Sequence, residues 1–104
     1  LKVPGAPYLN GLGEAAGELR RFALDAMRRD DLVEAERALG YMDDIYSLLV
    51  TMDFPDTLTR GLRRTTDMVR GVTERTRGDL TTAVRENMLQ RALKEFEDRL
   101  QSQL

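Results

Sequence analysis

The residues best suited to chemistry in this sequence are Glu14, Glu18, Arg21 and Asp25. Spaced by four, three and four, they fall within about 60° of one another on a helix, on the face opposite an apolar stripe centred on Leu12. Glu14 and Glu18 are one turn apart, so their carboxylates can converge on a divalent cation. Arg21, on the same face, is placed for a phosphate oxygen. An ordinary solvated helix looks the same, with its acids outward and Glu18 and Arg21 forming an i,i+3 pair, and the spacing alone leaves both readings open. The 104 residues include no Cys and no His, which removes thiol nucleophiles, disulfides, histidine triads and the usual zinc ligand sets. Any metal here has to be a hard cation held by oxygen.

A second region is distinguished by charge. The chain has a net charge of −2, yet the stretch from Leu58 to Arg77 carries Arg60, Arg63, Arg64, Arg70, Arg75 and Arg77 against Asp67 and Glu74, a local net of +4. Arginine's planar fork suits phosphates and carboxylates. Arg60, Arg63 and Arg64 are therefore candidate nucleic-acid contacts, and salt bridges between subunits or a solvated face are the other readings.

Helices must carry these groups, and the apolar residues recur at helical period throughout. LKVPGAP reads as an extended lead-in, with Pro7 a natural first helical residue. The first helix is expected from about Tyr8 to Arg29, with Leu9, Leu12, Ala16, Leu19, Ala23 and Ala26 on one stripe reinforced by Phe22 and Met27. Asp31, followed three residues later by Glu34, has the spacing of a capping box. It opens a second helix, about Leu32 to Met52, which Pro55 in DFPDT ends. A third is expected from about Asp56 to Thr76, on a thinner face that includes Thr65 and Thr76. Gly78 and Asp79 then read as a stop and a start, so a fourth segment, about 79–102 and nearly continuous with the third, is preferred over one long helix. No β-alternation and no solenoid repeat is present. The fold class is all-α, an antiparallel bundle of three to four helices, forming a single domain or the C-terminal part of one. With 6% aromatic residues, no Trp and a mean hydropathy of −0.45, the core is thin for this length, and oligomerisation is expected. No run is apolar enough for a membrane span or signal peptide, and a cytoplasmic, plausibly trimmed chain is expected.

The glycines of GLGEAAGEL, residues 11 to 19, each cost a helix interior about 0.8–1 kcal/mol relative to Ala. Gly13 and Gly17 are one turn apart and lie between the packed and acidic faces, where they would let another backbone approach closely.

The ordered set YLNGLGEAAGELRR, the DDL turn a dozen residues on and the YMDDIYSLL helix resembles the C-terminal half of the translin family, in the branch of translin-associated factor X and its archaeal relatives. The match uses Tyr8, Leu9, Gly11, Glu14, Gly17, Glu18, Leu19, Asp31, Leu32, Tyr41 and Tyr46. It loosens over Asp56 to Arg77, where Arg77-Gly78 recurs. The resemblance implies an all-α fold that assembles into closed, barrel-like oligomers, with itself or with another family subunit, around a lumen enclosing single-stranded RNA or DNA. Members of the factor X type are Mg²⁺-dependent endoribonucleases whose site joins an acid-x-x-x-Glu pair on this helix to carboxylates on an earlier one. The carry-over as catalytic and metal-binding residues reaches Glu14 and Glu18. Glu14 stands where the eukaryotic factor has Asp, and the earlier acids have no counterpart after Leu1. On this reading the glycines let helices of the bundle cross while the acidic face lines a chamber, with Arg21 and the Arg-rich third helix serving phosphates. The alternative is a non-enzymatic oligomerisation or adaptor module. A DNA-binding helix-turn-helix is disfavoured, because no short helix pair with a polar recognition helix is present.

Overall fold

A computed structural model describes residues 6–52 and 59–104. Three α-helices follow in order: α1 (Ala6–Arg28), α2 (Leu32–Thr51) and α3 (Thr59–Gln103). Each packs on the other two. Of the LKVPGAP lead-in, residues 1–5 lie outside the described residues while Ala6 and Pro7 already belong to α1; the DFPDT break and the expected start at Asp56 also lie outside them.

The α1–α2 turn is tighter than a capping box alone predicts. Asp30 takes a positive φ of 59°; its N–H donates to the Met27 carbonyl at 3.0 Å, and that of Asp31 donates to Ala26 at 2.8 Å. This double bond pattern satisfies the last carbonyls of α1. Asp31 then caps α2, its Oδ1 accepting from the Glu34 N–H at 3.2 Å. Glu34 does not reach back to complete the box. The Asp31 N–H is already engaged, and Glu34 pairs with Arg37 at 3.2 Å instead.

The α1 stripe packs through small side chains: Ala16, Ala23 and Ala26 are wholly buried. At one end Leu9 and Ala16 meet Leu49 and Val69, with Leu12, Ile45, Tyr46, Met52 and Leu62 around them. At the other, Ala26, Ala35, Leu39 and Leu80 form a second cluster flanked by Met27 and Leu32. Phe22, read from sequence as reinforcing this stripe, is 47% exposed.

Gly78 does not stop the third helix. α3 runs unbroken for 45 residues, a length of about 67 Å that accounts for most of the molecule's 75 Å long axis. The glycine is bracketed by tertiary ties. Arg77 bonds to Asp43 of α2, Asp79 pairs with Arg20 of α1 at 3.0 Å, and Leu80 is buried in the second cluster. These contacts outweigh a propensity penalty of about 1 kcal/mol. The preferred break into third and fourth segments is thereby corrected to one helix.

The close backbone approach expected at the glycines of GLGEAAGEL is not seen among the described residues; of these three, Gly13 alone has near neighbours, and they are side chains. A Cβ there would come within 2.7 Å of the Met68 methyl and 3.7 Å of Thr65, whereas one on Gly11 or Gly17 would meet nothing within 4 Å.

Candidate nucleic-acid interface

Because Leu9, Ala16, Ala23 and Ala26 bury one side of α1, the helical repeat turns Glu14, Glu18, Arg21 and Asp25 to the other. All four are exposed. With Ala15, Leu19 and Phe22, the last three line an open hollow along α1. Glu18 is engaged: Arg21 Nη1 donates to its Oε1 at 3.0 Å, and both side chains are largely exposed. Asp25 is held by Arg29 at 3.2 Å and lies 3.9 Å from Arg28. Solvent-exposed pairs of this kind are worth about 0–1 kcal/mol, so an incoming cation or phosphate can displace them at small cost. Among the described residues no group of three or more acids gathers where it could hold a metal ion. Glu14 and Glu18 therefore offer two hard oxygen donors on one face, and further ligands would be water, substrate phosphate or groups from outside this chain.

Arg60, Arg63 and Arg64 stand exposed near the start of α3. Among the described residues no ion pair engages them, and none joins them to Glu14 or Glu18. The structure does not gather the arginines and the glutamates into one site within a single chain.

Two other arginines tie helices together, a role the sequence reading assigned to neither. Arg20, beside Arg21 but about 100° round the helix, turns toward α3, where its Nη1 donates to Thr76 Oγ1 at 3.0 Å and pairs with Asp79. Thr76 is fully buried and donates in turn to the Val72 carbonyl. Arg77 ties α3 to α2. Its hydrogen bond to Asp43, aided by the charges of Asp43 and Glu74, raises the guanidinium further above its ordinary range against some desolvation. It stays ionised at every working pH. The signal for both was positional: each lies at the edge of its helix's apolar stripe.

A short bundle with one acidic, solvent-facing helix surface and arginine-knit helix contacts is thus the class that fold and surface define. No known family profile matches the chain. It is 40% identical over 87 residues to an uncharacterized protein of Methanocaldococcus jannaschii, a match spanning 84% of this chain and 39% of that protein. Its fold matches the crystal structure of AfC3PO with a TM-score of 0.71 and 43% identity, covering 85% of this chain and 47% of that one. The structure of AfC3PO in complex with duplex RNA matches equally well. These likenesses are consistent with an archaeal C3PO-like member of the translin family, and the chain spans about half the length of the solved relative and less of the curated one. Among the described residues no helix is long and apolar enough to cross a membrane.

Proposed function

We propose that this chain is part of an RNA-binding subunit whose α1 acidic face looks into a shared, solvent-filled chamber, and that with Mg²⁺ the assembly cleaves RNA. The observation that carries the reading is the 43% identity, with the fold in common, to a protein solved with duplex RNA. Single-stranded RNA or DNA was the form expected from sequence, so single strands and duplexes are both substrates to test. The subunit associates with itself or with another family member, in the cytoplasm.

The exposed Glu14 and Glu18 fit a hard cation, since Mg²⁺ is commonly held by one or two carboxylates together with waters and substrate phosphates. When bound, Mg²⁺ would polarise a phosphodiester and make a hydroxide nucleophile available without histidine. The chain's own part is to hold the two carboxylates one turn apart on a helix fixed by its buried alanine stripe. Arg21 releases Glu18 and turns to a phosphate oxygen. Arg60, Arg63 and Arg64 contribute phosphate contacts only where the assembly brings the start of α3 of one subunit near the nucleic acid.

The test is fluorescence anisotropy of labelled single-stranded and duplex RNA across a salt series, with Mg²⁺-dependent cleavage followed on gels. Affinity should fall steeply with salt as phosphate counterions are released, and Arg21→Ala should weaken binding and flatten that slope. Outer partners of a metal ligand are worth about 10–100-fold, so Glu18→Gln should cut cleavage at least tenfold while leaving RNA affinity close to unchanged. Full cleavage by Glu18→Gln would remove its assigned role; no RNA binding at low salt would remove the reading altogether. A non-enzymatic module is the second reading, favoured by the Glu18–Arg21 pair and by the lack of a third convergent acid among the described residues. Binding without cleavage under any Mg²⁺ concentration would select it.

A further inference from the structure

The C-terminal part of α3 extends past the bundle and carries large apolar side chains that stay about half exposed among the described residues. Leu89, Leu93, Phe96 and Leu100 are 61%, 54%, 59% and 48% exposed. Spaced by four, three and four, they fall within about 60° of one another. The residues by which α3 packs on its own bundle, Val69, Val72, Thr73, Thr76 and Leu80, lie roughly 140–150° round the helix from them. The distal stripe therefore faces away from α1 and α2, and lengthening those helices would not cover it. Contiguous apolar stripes on a projecting helix mark association surfaces.

We infer that this stripe pairs with α3 of a second copy, the two helices running antiparallel. The spacing is that of a coiled-coil seam. With Leu89 set opposite Leu100 of the second copy and Leu93 opposite its Phe96, the two-fold axis repeats both contacts and gives four apolar layers from one sequence, as a symmetric interface requires. The next seam positions outward choose the direction. Glu86 and Gln103 continue the stripe at either end; antiparallel helices oppose Glu86 to the neutral Gln103 of the other copy, whereas parallel ones would set Glu86 against Glu86. The flanks agree, because antiparallel pairing places Glu97 near Gln90 and Arg99 near Ala92, with no like charges opposed. The overlap, residues 86–103, spans about 27 Å and lies beyond Leu80, the last buried residue of α3. The two bundles then sit at opposite ends of the pair without collision.

This surface would serve the self-association within the function proposed above, and its test contains no RNA, so either idea can fail alone. Sedimentation velocity of the full 104-residue chain at tens of micromolar should show a species at least dimeric. Leu93→Glu with Phe96→Glu should raise the dissociation constant more than about a hundredfold while circular dichroism still reports a folded helical bundle. Since the chain has no Cys, direction can be read in an otherwise unaltered background: a mixture of Glu86→Cys and Gln103→Cys chains should form the mixed disulfide under mild oxidation. A monomeric wild type, as expected if some other molecule covers the stripe, would overturn the inference. An assembly indifferent to the double Glu variant, or Glu86→Cys chains linking efficiently to each other in place of the mixed product, would also overturn it.

Discussion

The two halves of α3 share one helical period and one unbroken backbone, yet their apolar residues meet different fates. Up to Leu80 the helix buries Val69, Val72, Thr73 and Thr76 against its own bundle; beyond it, Leu89, Leu93, Phe96 and Leu100 remain half exposed. The proximal face is poorer in large apolar groups, using threonines and arginine ties where the distal stripe uses leucine and phenylalanine. Burial in a single chain thus follows which partner is within reach more than how apolar the residue is. Among the described residues, the largest apolar side chains of α3 thus lie outside the core that its smaller ones build.

The largest expected difference between the halves comes from truncating one leucine in each. Leu80→Ala should cost about 2–5 kcal/mol in urea unfolding, because Leu80 fills the cluster with Ala26, Ala35 and Leu39. Leu93→Ala, measured in dilute solution where copies separate, should change stability by less than about 0.5 kcal/mol. Equal costs would erase the distinction. Within the proximal half, Thr73 Oγ1 is buried and has no hydrogen-bond partner among the described residues. An unpaired buried hydroxyl costs about 1–3 kcal/mol, so Thr73→Val, nearly the same shape, should raise stability by about 1 kcal/mol; a loss would mean that the hydroxyl is satisfied in solution.

Smaller effects probe the junction. Arg20→Ala should destabilise by about 1 kcal/mol, mainly through the hydrogen bond lost at Thr76, since the half-exposed Asp79 pair adds little. Gly78→Ala, with open space at the Cβ position, should stabilise by just under about 1 kcal/mol in thermal unfolding. A fall in melting temperature would show that the junction needs a bend the straight helix lacks.

Much of this was legible in the sequence. The helical period of α1 and α2, the Asp31 cap and the exposure of Glu14 and Glu18 follow from spacing, because a stripe that packs fixes the opposite face as wet. The continuity of α3 was not legible, since Gly78 and Asp79 carry a local stop signal while the ties that override it, to Asp43 and Arg20, come from residues over 30 positions away. Phe22 was misplaced for a related reason. Periodicity names a face without naming its partner, and among the described residues Phe22 stays 47% exposed. For the same reason Gly17 reads as a close crossing yet meets open space.

The most direct test of the claim that the halves of α3 answer to different partners is amide hydrogen exchange along the helix at several protein concentrations. Protection from 69 to 80 should stay constant across the series, and protection from 86 to 103 should rise with concentration. Distal protection that is independent of concentration, or absent at every concentration, would contradict the account.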